Sequence, residues 1–146
     1  TSAGGYDGFL VKLTGSDLTA LWARNWGDSS NQEAHGVAFN STGDIVVVGF
    51  LQGSVAGLSS TTLTSAGSSD AYWAKFSGTD GSSTCAARYG DELGQVADIV
   101  AISSAASGAQ KDMVNMVGYS TGTITFATSM SLTSAVPNGF VLQLSP

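Results

Sequence analysis

The chain repeats itself, and this constrains its fold more than any other feature. The segment from Thr1 to Gly15 returns 63 residues later as Thr64 to Gly78, with Asp7 on Asp70, Lys12 on Lys75 and Gly15 on Gly78. The copy continues with Trp26-Gly27-Asp28 on Tyr89-Gly90-Asp91 and Val37-Ala38-Phe39 on Val100-Ala101-Ile102. Extra residues then enter around Ser103 to Asp112, after which Val48-Gly49-Phe50 matches Val117-Gly118-Tyr119. A third copy starts at Thr133-Ser134-Ala135 and runs through Gly139-Phe140 to Ser145. The units span approximately residues 1–63, 64–132 and, in part, 133–146, all within one repeat region. A unit of this size cannot bury an apolar face alone, so neighbouring units must supply each other's core.

Each unit reads as strands. Phe9, Val11 and Leu13 alternate with Leu10 and Lys12, the period of two expected of a strand. Ile45 to Phe50 is a continuous apolar, largely β-branched run, the pattern of a strand covered on both faces. Gly-containing breaks separate the apolar runs at about ten-residue intervals, as in all-β folds. No stretch keeps a helical period with caps.

Composition narrows the functional classes. Charged residues are 11% of the chain, against a usual share of about 25%. The five basic residues, Lys12, Arg24, Lys75, Arg88 and Lys111, are scattered singly in a chain of net charge −6. Nucleic acids and anionic membrane surfaces call for clustered cations, so both are excluded as expected partners. The longest apolar run, Ile45 to Leu51, is far too short to span a bilayer. The single cysteine, Cys85, cannot close an internal disulfide. A chain that opens on Thr1 reads as a processed product or as part of something longer.

The repeat resembles the bacterial-type β-propeller repeats known as SBBP repeats. The matching residues are Gly4-Gly5-Tyr6-Asp7-Gly8-Phe9-Leu10-Val11-Lys12-Leu13, Leu21-Trp22, Gly27, Gly36-Val37-Ala38-Phe39 and Gly43 through Gly49. The second unit matches at Gly67, Asp70 to Phe76 and Val117-Gly118. It departs at Cys85 and Ala87, which stand where Trp22 and Arg24 would fall, and the third start carries Gln143 in place of the repeat lysine. The resemblance implies tandem four-stranded antiparallel sheets, stacked as propeller-type blades. One complete sheet would comprise Val37–Phe39, Ile45–Phe50, Asp70–Phe76 and Thr84–Tyr89. Residues Thr1 to Trp26 would supply two outer strands of a preceding blade, and the C-terminal end three strands of a following one. A closed ring needs roughly four to eight blades, so the expectation is an incomplete or open propeller segment. Its unpaired edges call for further repeats of the same protein or other chains to cover them.

Several residues invite a chemical reading. Gly118-Tyr119-Ser120-Thr121-Gly122 has the spacing of a nucleophile elbow, but that motif needs a strand-to-helix turn followed by Asp and His. Here β-like residues follow and His35 lies upstream, so a Gly-bounded turn between strands is expected and no catalytic residue is assigned. His35 reads as a locally bonded turn or strand-edge residue, and Cys85 as a small buried side chain. The acidic loops Asp28 to Glu33 and Asp91-Glu92 recur, but they lack the ligand order of a calcium site and read as solvated loops. Trp22, Trp26, Tyr72, Trp73 and Tyr89 read as packing between repeats; the alternative is a sugar-stacking platform. No metal site or cofactor is assigned. Asn40-Ser41-Thr42 is an N-glycosylation sequon in an expected turn, which makes Asn40 the candidate glycan carrier. The acidic, Ser/Thr-rich composition suits an extracellular or cell-surface setting. The sequence thus points to a non-enzymatic structural or interaction module, with a carbohydrate- or other ligand-binding module as the alternative.

Overall fold

A computed structural model describes residues 2–127 and 130–145; Thr1 and Pro146, the outer limits of the repeat region, lie outside them. The described chain is all-β, built of four antiparallel sheets, none of which closes on itself. The front sheet pairs β1 (Gly8–Leu13) with β2 (Ala20–Trp26). The middle sheet has the order β3 (Gln32–Phe39), β4 (Ile45–Leu51), β7 (Asp70–Phe76), β8 (Ser83–Tyr89). The back sheet has the order β9 (Gln95–Ser104), β10 (Lys111–Ala127), β11 (Met130–Leu144). Between β4 and β7 a short ribbon pairs β5 (Ser54–Val55) with β6 (Leu63–Thr64).

The four strands expected for one sheet are observed, in the expected order. The copy of the ribbon explains why β10 and β11 are so long. Ser54 pairs with Thr64 and Val55 with Leu63; in the next copy Thr123 pairs with Thr133 and Ile124 with Leu132. A hydroxyl pair at 3.0 Å closes both ribbons, Ser54 with Thr64 and Thr123 with Thr133. In the first copy the chain leaves the sheet at Gln52 and Gly53 before the ribbon begins; in the second it continues as one strand.

The sheets stack face to face in three layers. The core between front and middle sheets holds Trp26, Ile45, Val47, Tyr72, Ala74 and Phe76, with Leu10 and Trp22 packed on it. The core between middle and back sheets holds Val46, Val48, Ala71, Val114, Met116 and Phe140, with Trp73, Leu142 and Leu144 against it. The second core repeats the first. Val114, Met116, Phe140, Leu142 and Leu144 occupy the repeat positions of Ile45, Val47, Tyr72, Ala74 and Phe76. Alternate residues of β4 face opposite layers, so Ile45, Val46, Val47 and Val48 are all buried.

Backbone hydrogen bonds link the layers at matched positions. The Gln32 N–H donates to Tyr6 O at 2.7 Å, and the Gln95 N–H to Ser69 O at 2.8 Å. The extra residues of the second unit fall in one place, the loop joining β9 to β10, away from both cores.

Candidate interaction surface

Three repeated devices shape the surface of the stack. The first is a clip between a half-buried carboxylate and a buried amide. The Asp28 N–H donates to Gln32 Oε1 at 3.0 Å, and Gln32 Nε2 donates to Asp28 Oδ1 at 2.8 Å and to Gln52 O at 2.5 Å. The Ser54 N–H donates to Asp28 Oδ2 at 2.6 Å. In the next copy Asp91 and Gln95 make the same bonds, with Thr121 O as acceptor and the Thr123 N–H as donor. Both glutamines are fully buried. The clip holds the loop before a strand against the chain leaving the neighbouring one. These loops, expected to be merely solvated, are therefore structural at Asp28 and Asp91. The sequence carries this clip as Asp-x-x-x-Gln at 28/32 and 91/95, a spacing that the acidic residues taken alone do not reveal.

Electrostatics agrees with this role. Backbone N–H groups of Ser54 and then Ser30 hold the Asp28 carboxyl below its usual pKa of 3.8. At Asp91 burial pushes the other way, yet the N–H groups of Leu93 and Thr123 and the Gln95 amide prevail, and its pKa is also lowered. Oxygens that accept from N–H donors in this way are already occupied. Among the described residues, no group of three or more His, Cys, Asp or Glu side chains is placed to share a metal ion.

The second device is a pair of β-bulges. Ala34 pairs with Gly49 and Gly36 with Val48, so His35 is the extra residue. Ala97 pairs with Gly118 and Ile99 with Val117, which makes Asp98 the extra residue of the next sheet. The two equivalent bulged residues meet. His35 Nδ1 lies 3.2 Å from Asp98 Oδ1, its Nε2 lies 3.1 Å from Glu33 Oε2, and its ring meets Phe50 edge-on. His35 therefore links two sheets, rather than bonding only locally as expected, because the bulge turns its ring toward the neighbouring layer.

The third device is the Asp70 anchor. This carboxylate has no exposed surface and accepts from Arg88 Nη1 at 2.5 Å, the Ala66 N–H at 3.0 Å and Ser65 Oγ at 3.1 Å. Its first-copy equivalent, Asp7, accepts from the Ala3 N–H. In the third copy Asn138 stands at this position and donates to Ser134 Oγ at 2.6 Å.

The remaining sequence candidates fall as follows. Ser120 is buried within β10, at a register shift beside Gly122, so the Gly-x-Ser-x-Gly run is a bulge inside one strand. The expected turn occurs only in the first copy. Cys85 is exposed, contrary to the expectation of burial. It lies on the outermost strand of the middle sheet, and among the described residues the back sheet has three strands and none placed to cover it. Asn40 heads the β3–β4 turn; its Oδ1 accepts from the Thr42 N–H, Thr42 Oγ1 and the Asp44 N–H at 2.8–3.1 Å. Asp112 clamps the next residue, accepting from the N–H and hydroxyl of Ser41 at 2.7 and 2.6 Å. Trp26 and Tyr72 are buried, with Trp26 Nε1 donating to the Tyr72 hydroxyl at 3.2 Å. Trp22, Trp73 and Tyr89 are half-buried against the two cores.

The two outer faces of the stack are apolar and uncovered. Phe9 is 70% exposed and Tyr72, at the same repeat position, 0%. Val117 is 40% exposed and its counterpart Val48 0%. On the front face stand Phe9, Val11, Leu13 and Leu21; on the back face stand Ile99, Val117, Tyr119 and Val141. Patches of this kind mark interaction sites on soluble proteins.

No protein-family model matches the chain, and no curated protein matches it.

Proposed function

We propose that this chain is a non-enzymatic structural or interaction module, working at the cell surface or outside the cell, whose stacked sheets act as propeller-type blades. The observation that carries this reading is the contrast between equivalent positions. Tyr72 and Val48 are sealed between layers, while Phe9 and Val117 lie open at the two ends of the stack. Further repeats or other chains would cover those ends. The polar devices serve the architecture: clips and anchor tie each sheet to its own loops, and the His35–Asp98 pair links two layers. Asn40, in a turn with exposed Ser41 and Thr42, is the glycan carrier in this proposal.

The carbohydrate-binding alternative draws on the same aromatics. It calls for exposed tryptophan rings, whereas Trp26 is buried and Trp22 and Trp73 pack on the cores. The test is the mass of the natural material, native and then denatured. A native mass that is a multiple of the denatured one, or a denatured mass well above 14.7 kDa from further repeats, supports the proposal. A bare monomer of 14.7 kDa overturns it.

A further inference from the structure

We infer that the groove between the β3–β4 turn and the β9–β10 loop seats the first sugar of a glycan carried on Asn40. The inference rests on the proposed role of Asn40 as glycan carrier and names the surface that the glycan covers. Two departures from the repeat meet in this groove. The sequon Asn40-Ser41-Thr42 occurs in the first unit only; the second unit has Ser103-Ser104-Ala105 at those positions. The extra residues occur in the second unit only, and they enlarge the β9–β10 loop. Neither feature belongs to the repeated cores, yet the fold sets one against the other where the middle and back sheets meet. The two walls are tied together. Asp112, just past the loop, has a φ of 56°, an uncommon backbone conformation outside glycine. Its carboxylate reaches across the groove to the N–H and hydroxyl of Ser41.

The turn presents Asn40 in a form that a sugar leaves intact. Three donors on Oδ1 fix the plane of the amide, and with it the position of Nδ2. One hydrogen of Nδ2 goes to Asp44 Oδ2 at 3.4 Å; the other has no acceptor among the described residues. A sugar replaces that second hydrogen, so the hydrogen bonds of the turn persist. Asn40 borders two cavities. One, beside Trp73 and Lys75, holds about 90 Å³, and the other is the groove, at about 450 Å³. Only the groove reaches the size of ordinary ligand sites, roughly 300–1,000 Å³. Its far wall suits a sugar ring. Ser103 and Ser104 bring hydroxyls, and Ile102 and Ala105 bring apolar surface. Lys111 adds an ammonium that makes no ion pair among the described residues. The covalent link makes the encounter intramolecular, so weak contacts are enough to seat the ring.

The test compares two forms of the whole chain with one sequence. One is made in a bacterial host that adds no glycan; the other is made in a secretory host and trimmed enzymatically to the single sugar on Asn40. Amide hydrogen exchange is followed by mass spectrometry over residues 103–111, with the β7–β8 turn as internal reference. The expected result is loop exchange roughly threefold slower or more in the trimmed glycoform, and no change at the reference turn. In a Ser104→Ala, Lys111→Ala double variant, with the fold checked by far-UV circular dichroism, the two forms are expected to exchange alike. An occupied Asn40 whose loop exchanges equally in both forms overturns the inference and leaves Asn40 as a glycan carrier. Protection that survives the double variant also overturns it, since the sugar is then held elsewhere. A chain that leaves the secretory host with Asn40 unmodified overturns both the inference and the glycan-carrier role; the interaction-module reading then stands or falls separately, on the mass of the natural material.

Discussion

Gln32 and Gln95 show how a polar side chain can be buried completely without loss. Each amide accepts from one backbone N–H and donates to one carboxylate and one carbonyl. Replacing Gln95 with Leu keeps the volume and strands the Asp91 N–H and the Thr121 carbonyl. The expected cost is about 1–3 kcal/mol in chemical denaturation, the penalty for buried groups left unpaired. The aspartates of the clips set an acid limit. Their folded-state pKa lies below the usual 3.8, so their stabilisation is complete above that value and is lost as pH falls through and below it. Thermal melts should therefore hold level at mildly acidic pH and drop below about pH 4. In an Asp28→Asn, Asp91→Asn double variant the melting temperature should start lower and the acid drop should be shallower.

At the scale of elements, most of the fold was legible in the sequence and the bulges were not. The unbroken run from Ile45 to Phe50 announced a strand covered on both sides, and β4 is buried along nearly its whole length. The repeat register also placed β7 and β8 correctly. One inserted residue in a strand leaves no mark on composition, so His35 and Asp98 could be aligned with each other but not seen to touch. The exposure of Cys85 was hidden for a related reason: it depends on what the next layer lacks, which local pattern does not record. The glycines opposite the bulges carry the constraint. A Cβ on Gly49 would run into the Glu33 carbonyl, and one on Gly118 into the Val96 carbonyl. Both obstacles are backbone and cannot turn aside. Gly49→Ala and Gly118→Ala should each destabilise the fold by about 1–3 kcal/mol, measured as a shift in denaturation midpoint. Gly15→Ala, with open space around it, should change the midpoint little.

For the whole molecule, the repeat sets a rule that the ends of the stack leave open. Two internal contacts bury the same positions, and the two outer faces display those positions to solvent. Covering the faces is what the account requires of the natural assembly. Hydroxyl-radical footprinting, run on the dilute chain and on the natural material, reads this directly, because Phe9 and Tyr119 lie on the open faces and Tyr72 lies within the core. Phe9 and Tyr119 are expected to react in the dilute chain and to be protected in the natural material, with Tyr72 silent in both. Equal reactivity of Phe9 and Tyr119 in the two samples, or rapid reaction of Tyr72, would contradict it.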